Sequence, residues 1–244
     1  MDWRILILIV GFLIGLSKGG VGGPISVALA LPLLSQTMGL KQAVGLTLPL
    51  LMFADIFAMR YYWKQWDMRY IRLLLPMAVV GIVIGAFFLK ILPEDILKKV
   101  VGIFTLGVIV YKLASDSLRS VEYQPRDWHG YLAGGASGFA STLANLGGPP
   151  STAYLLLQKI EPASFIGTVT LLFFVINLLK VPMYLLLGND VLDLNLILSI
   201  IWILPIIPVG VWTGRKIIGW MNPKVFDWSL IAVLLYTSLS LLFS

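Results

Sequence analysis

Apolar runs of two lengths alternate along the chain. Residues 43–63, 70–89, 164–187, 194–218 and 226–243 form long runs. Each is long enough to cross a hydrocarbon core as a helix, which takes about 20 residues. Residues 4–17, 25–38, 130–145 and 151–158 form short runs, too short to cross comfortably. The short runs come in two pairs, and each pair is split by glycine and proline. The first split is Gly19-Gly20-Val21-Gly22-Gly23-Pro24; the second, Gly147-Gly148-Pro149-Pro150, lies 125 positions further on. Both residue types are poor in helix interiors, so each split predicts a helix opened on purpose. Pro93-Glu94-Asp95 opens a further helix to about Lys112, with acids in its first turn complementing the dipole. Residues 114–129 are the longest polar stretch. They divide the chain into a first repeat (1–113), a linker (114–129) and a second repeat (130–244).

The halves match in order. Gly22-Gly23-Pro24 and Ser26 match Gly147-Gly148-Pro149 and Ser151. Gly45 and Asp55 match Gly167 and Asn177; Pro76, Gly81 and Gly85 match Pro205, Gly210 and Gly214; Pro93 matches Pro223. An ordered series of this kind indicates internal duplication, a signature of transporters.

Composition sharpens the class. Of 244 residues 59% are hydrophobic and 12% charged, against roughly 25% charged in soluble domains. The expected fold is therefore an all-α polytopic membrane protein. The formal charge of +6 fits basic loops beside an anionic leaflet better than nucleic acid binding. There is no cysteine, which excludes disulfides, thiol nucleophiles and thiolate metal sites. No cofactor, metal site or catalytic residue is expected. Trp63, Trp66, Trp128 and Trp220 read as interfacial anchors.

Charge placement bears on topology. If each broken stretch is a hairpin returning to its own side, one face receives Arg60, Lys64, Arg69, Arg72, Lys112, Arg119, Arg126, Lys159, Arg215, Lys216 and Lys224, which is eleven. The other receives Arg4, Lys41, Lys90, Lys98 and Lys99, which is five. If each broken stretch crosses once, the split is eight to eight. The positive-inside rule favours hairpins. Each half is then a broken short-helix hairpin plus three spanning helices, the two repeats are inverted in topology, and both termini lie outside the cytoplasm.

The breaks carry the candidate chemistry. A helix starting at Pro24 or Pro149 offers free N–H groups and a positive dipole end, the elements of an anion site. The candidate substrate contacts are Lys18, Gly22, Gly23 and Ser26 at the first break, and Asn145, Gly147, Gly148, Ser151 and Thr152 at the second. Bland readings stand beside these. The glycines also serve close helix packing, Asn145 serves as a helix C-cap, and Lys18 serves as a snorkelling side chain at a shallow interface. Asp55 and Lys180 each lie deep in an apolar run, where an unpaired charge costs at least roughly 2.5–3.5 kcal/mol. They read as coupling groups or, more simply, as an ion pair joining the two repeats.

The segment Gly15-Leu16-Ser17-Lys18-Gly19-Gly20-Val21-Gly22-Gly23-Pro24, followed by Pro32-Leu33-Leu34, resembles the first signature of the TauE/SafE sulfite exporter family. Gly138-Phe139-Ala140-Ser141-Thr142 with Gly147-Gly148-Pro149 resembles the second. The resemblance extends over essentially the whole chain. It implies a secondary transporter in the bacterial inner membrane, with membrane lipids around it. Its implied solute is a small sulfur-containing anion, sulfite or an organosulfonate such as sulfoacetate, moved outward by alternating access. The family is usually described with eight transmembrane segments.

Two other classes are weighed. Gly135-Ala136-Ser137-Gly138 resembles the Gly-x-Ser-Gly of rhomboid proteases, but that chemistry needs a histidine on a later helix. The single histidine, His129, precedes the serine. An anion channel of the same architecture is the closer alternative, since glycine loops also line filters. The hairpin topology predicts that a reporter fused after Ser244 is active on the non-cytoplasmic side; activity confined to the cytoplasm removes the inverted arrangement.

Overall fold

A computed structural model describes residues 3–19, 23–120, 126–158, 160–188 and 190–217, together with 228, 231–232, 235–236, 238–240 and 242–243. All regular structure among the described residues is helical. Helix α1 is Trp3–Lys18, α2 is Gly23–Ala28, α3 is Ala30–Leu34, α4 is Leu40–Tyr61, α5 is Met68–Ile91 and α6 is Glu94–Ser120. In the second half, α7 is Asp127–Ala144, α8 is Gly148–Leu157, α9 is Pro162–Leu187, α10 is Leu194–Ser199 and α11 is Ile206–Ile217.

Three described helices are long and apolar enough to cross a membrane: α4, α5 and α9. They correspond to the long runs expected at 43–63, 70–89 and 164–187. The expected span at 194–218 is instead broken into α10, a 3₁₀ turn at Ile201–Ile203, and α11. Pro205 and Pro208 account for this. Each lacks an N–H and crowds the carbonyl four residues back, so the chain tightens to three-residue bonds such as Leu204 N–H to Ile201 O (3.1 Å) and Ile207 N–H to Leu204 O (3.1 Å). Pro32 sits just after the similar interruption between α2 and α3, at Leu29. The stretch expected as a linker at 114–129 is helical on both sides, with α6 continuing to Ser120 and α7 starting at Asp127. The last expected span, 226–243, lies largely outside the described residues, as do Gly20, Val21 and Gly22 of the first break.

Helix α4 is enclosed along most of its length. Ala43, Val44, Thr47, Leu48, Leu51, Asp55 and Ala58 are buried at spacings of one, three and four, and packing also covers Leu46, Leu50 and Ala54. Neighbours α1, α3, α6, α9 and α11 surround it. Its first turn is tied to α6, because the Glu94 carboxylate accepts the Leu40 N–H (2.9 Å). One acid thus serves the starts of two helices. Helix α5 faces outward with Val79, Val80, Val83, Ile84 and Phe87, all exposed. An apolar outer face of that extent belongs in lipid.

Packing crosses between the halves of the chain. Helix α1 lies along α11, and α5 lies along α7. Both contacts run on glycine. Gly81 and Gly85 of α5 face the carbonyls of Gly135 and Phe139 on α7. Gly210 and Gly214 of α11 face the carbonyls of Phe12 and Leu16 on α1, where an added Cβ would come within 2.6 and 2.9 Å. The register is shared: Phe12 and Leu16 stand to Gly135 and Phe139 at one offset, and the four glycines at another. Backbones that close leave no room for a side chain.

A substitution pair tests this packing. A Cβ at Gly138 runs into the Ala78 carbonyl, whereas one at Gly107 meets nothing within 4 Å. Gly138→Val is expected to lower stability in detergent by about 1–3 kcal/mol. Gly107→Ala is expected to be neutral or to gain up to about 1 kcal/mol. Thermal unfolding followed by size-exclusion chromatography separates the two.

Candidate functional site

The polar side chains of the interior gather where the two breaks meet α4 and α9. Lys18, the last residue of α1, brings its ammonium to the Asp55 carboxylate on α4 in an ion pair. The pair is nearly dry, with the two side chains 17% and 1% exposed. The second Asp55 oxygen accepts from Asn177 Nδ2 on α9 (3.1 Å). One turn further along α9, Lys180 is fully buried. Its ammonium donates to Ser141 O (3.1 Å), Ser141 Oγ (3.1 Å) and Asn145 Oδ1 (2.5 Å). Asn145 Nδ2 then donates to Val44 O (3.2 Å) and Thr47 Oγ1 (2.6 Å), back on α4. The polar path from the first break to the second thus has two segments, Lys18–Asp55–Asn177 and Lys180–Ser141/Asn145–Thr47, joined by one turn of α9 and not by a hydrogen bond.

The partnering differs from the sequence expectation. Asp55 is paired with Lys18, not with Lys180. The reason is reach: α1 ends at the break beside α4, so the long Lys18 side chain meets Asp55 directly. Lys180 points to the other side of α9 contacts, toward α7, and still interacts electrostatically with Asp55 without touching it. Three acceptors match the three donors of its ammonium, and all three are neutral. Hydrogen bonds to a charged group are worth about 1.5–3 kcal/mol each, which offsets part of the cost of burying an ammonium. The cluster thus gathers two lysines around one carboxylate.

Asn145 is the helix C-cap that one of its two readings expected. It ends α7 in the left-handed conformation (φ 54°), its N–H bonded to Ser141 O (2.9 Å), and its side chain joins the polar path. Ser26, Ser151 and Thr152 are buried. The hydroxyls on α8 are turned to its own first-turn carbonyls: Ser151 Oγ to Gly148 O (3.2 Å) and Thr152 Oγ1 to Gly148 O (2.7 Å). The start of α8 is also poorer in donors than a helix start normally is. Pro149 and Pro150 have no N–H, and the Ser151 N–H goes to Ser137 Oγ (3.0 Å). Only Gly147 and Gly148 keep backbone donors there. Gly147 is also a packing residue, since a Cβ on it would lie 2.8 Å from Ser141 Cβ and 3.0 Å from Phe173. Gly22 lies outside the described residues; Gly23 begins α2.

Ser141, Asn177 and Thr47 complete the path and were not among the sequence candidates. A signal existed for each. Ser137, Ser141 and Asn145 recur at a spacing of four, Thr47 stands two such steps before Asp55, and Asn177 is the repeat match of Asp55. The Gly-x-Ser-Gly serine, Ser137, is buried and accepts from Ser151, while His129 sits at the start of α7 against Arg126 (3.1 Å) and stacks on Trp128. Eight residues along a helix put about 12 Å between them, so the serine has no base.

Spanning-length apolar helices with buried charges packed beside two helix breaks are features of membrane transporters. The chain matches the family described as Sulfite exporter TauE/SafE over residues 7–241, and it belongs to that family. Its class is accordingly that of a sulfur-anion exporter-type transporter with a small anionic solute, embedded in a membrane. No curated protein and no solved structure matches it.

The Lys18–Asp55 pair gives a direct test. Asp55→Asn and Lys18→Met are each expected to cost on the order of 3–5 kcal/mol of stability, because each strands a buried charge. The double variant is expected to recover a substantial part. A cycle of Asp55→Asn with Lys180→Met is expected to show the smaller coupling. Coupling that is larger with Lys180 than with Lys18 assigns the pair the other way.

Proposed function

We propose that the protein exports sulfite or a small organosulfonate such as sulfoacetate across the bacterial inner membrane by alternating access. The solute binds between the two glycine–proline breaks. Lys180 and Lys18 supply the charge and Asn145 an amide donor. The residues around them at the breaks are Gly22, Gly23 and Ser26 on one side and Gly147, Gly148, Ser151 and Thr152 on the other. The observation that supports this reading is the surplus of lysines over carboxylates in the cluster among the described residues, with Lys180 hydrogen-bonded to neutral groups alone. A compact anion arriving there neutralises the surplus, whereas a cation adds to it. A sulfur oxyanion brings three oxygens that can replace the neutral acceptors around the ammonium one at a time.

The two halves act as inverted repeats, each a broken hairpin with three spanning helices, and both termini lie outside the cytoplasm. The shared register of the α1–α11 and α5–α7 contacts supports this arrangement. It also supplies the moving parts, since α1 and α7 carry the breaks and each is held by the opposite half. Asp55 holds Lys18 in the resting state, and release of that lysine toward the solute links occupancy of the site to movement of α1.

In proteoliposomes the protein is expected to take up sulfite or sulfoacetate with saturation and counterflow; a flux that stays linear with concentration assigns a channel instead. Lys180→Met is expected to weaken solute binding by about tenfold or more, as for loss of a hydrogen bond to a charged group. Wild-type affinity in that variant places the solute away from the cluster.

A further inference from the structure

The C-terminal ends of α1, α4 and α11 enclose a cleft of about 290 Å³, lined by Lys18, Gly19, Tyr61, Tyr62 and Arg215. It lies outside the polar path and touches it at one residue, Lys18. That lysine lines the cleft and turns its ammonium inward to Asp55. The rim is different. The Arg215 guanidinium lies 4.2 Å from the Tyr61 ring centroid and is held there by the π face. Among the described residues no carboxylate is within ion-pair distance of Arg215, and no carboxylate lines the cleft. Lys18 is paired with Asp55, whereas Arg215 rests on the Tyr61 ring with no carboxylate partner among the described residues.

Basic residues in the last turns of α1 and α11 complement the partial negative charge of helix C-termini. That accounts for their sign but not for a cavity built between them. A guanidinium stacked on an aromatic ring keeps planar N–H donors suited to forked contact with oxyanions. The two tyrosines bring hydroxyl donors. The volume sits at the small end of ligand pockets, which run roughly 300–1,000 Å³, so the occupant has few heavy atoms.

We propose that this cleft is a second anion site, an antechamber that captures a small sulfonate- or sulfate-like oxyanion on Arg215 before it passes Lys18 to the inner cluster. The proposal rests on the transport reading for its direction of passage, but not for the binding itself. Arg215 acts in capture and Lys18 is the threshold between the two sites. Because one partly exposed charge does the capturing, the effect is electrostatic and screened by salt.

The chain has no cysteine, so a single Tyr62→Cys reports on the cleft without background. Anionic and cationic methanethiosulfonate reagents are applied to that variant in phosphatidylcholine liposomes, each rate normalised to its rate with a free thiol. The anionic reagent is expected to be favoured by roughly tenfold, falling with ionic strength. Arg215→Gln removes the preference and Arg215→Lys restores part of it. Methanesulfonate or sulfate, neither of which consumes the reagent, slows labelling in the Tyr62→Cys protein but not with Arg215→Gln added. In transport, Arg215→Gln alone raises KM about two- to fivefold, as for loss of one exposed charge contact, with the maximal rate kept. An unchanged preference in Arg215→Gln, or labelling that no soluble anion slows, overturns the proposal. Slowing that appears only when phosphatidylglycerol is in the bilayer makes the cleft a lipid headgroup site and overturns it as well. Anion-selective labelling in a protein that moves no sulfur anion keeps the cleft and removes the transport reading; transport without selective labelling does the reverse.

Discussion

Asp55 sits on α4, the most enclosed of the three long apolar helices, and its charge constrains the elements around it. A buried carboxylate needs a cation and hydrogen bonds to remain ionised in an apolar interior. Lys18 and Asn177 supply both, and each comes from a different helix. The ion pair fixes the end of α1 against α4, and the amide fixes α9 against the same turn. Lys180 follows from that placement, one turn along α9, where it holds the end of α7 through Ser141 and Asn145. The first and second breaks are thereby secured to one central helix by polar bonds rather than by apolar contact.

Apolar contact does the complementary work. In lipid the hydrophobic effect gives little reason for one helix to prefer another over acyl chains, so close fit decides. Glycine faces on α5 and α11 admit the backbones of α7 and α1. These are cross-half contacts, so neither half of the chain is a self-contained unit. The polar path and the glycine seams divide the labour. The seams hold the helices that carry the breaks, and the path ties the broken ends to α4 and α9. A device that must move at its breaks while staying folded benefits from that separation, since the few bonds at the path can exchange while the seams persist.

Charge is graded from the outside inward. Among the described residues no carboxylate pairs with Arg215 at the cleft, Lys18 is paired with Asp55, and Lys180 is buried among neutral acceptors. On the proposed passage an anion would meet a solvated cation first and a desolvated one last. Attraction strengthens with depth because the local dielectric falls.

Much of this was legible in the order of residues. Long apolar runs gave α4, α5 and α9, because twenty apolar residues have one stable form in a bilayer. The paired glycine–proline breaks and the repeat register were visible as spacing alone, and the signatures around Lys18 and Ser141 pointed to the family. Prolines at 149 and 150 by themselves remove two donors from the start of α8, whereas the engagement of the Ser151 N–H by Ser137 depends on the packing of α7 against α8. The break at Pro205 and Pro208 was visible too, yet Pro49, Pro76 and Pro182 sit inside unbroken helices, so proline by itself does not decide. What only the tertiary structure decided was partnership. Asp55, Lys18 and Lys180 are each recognisable as costly charges in apolar runs, and any opposite pair satisfies that cost on paper. Which pair forms depends on where helix ends fall and how far a lysine reaches, and those are properties of packing in three dimensions, with no trace in the one-dimensional pattern.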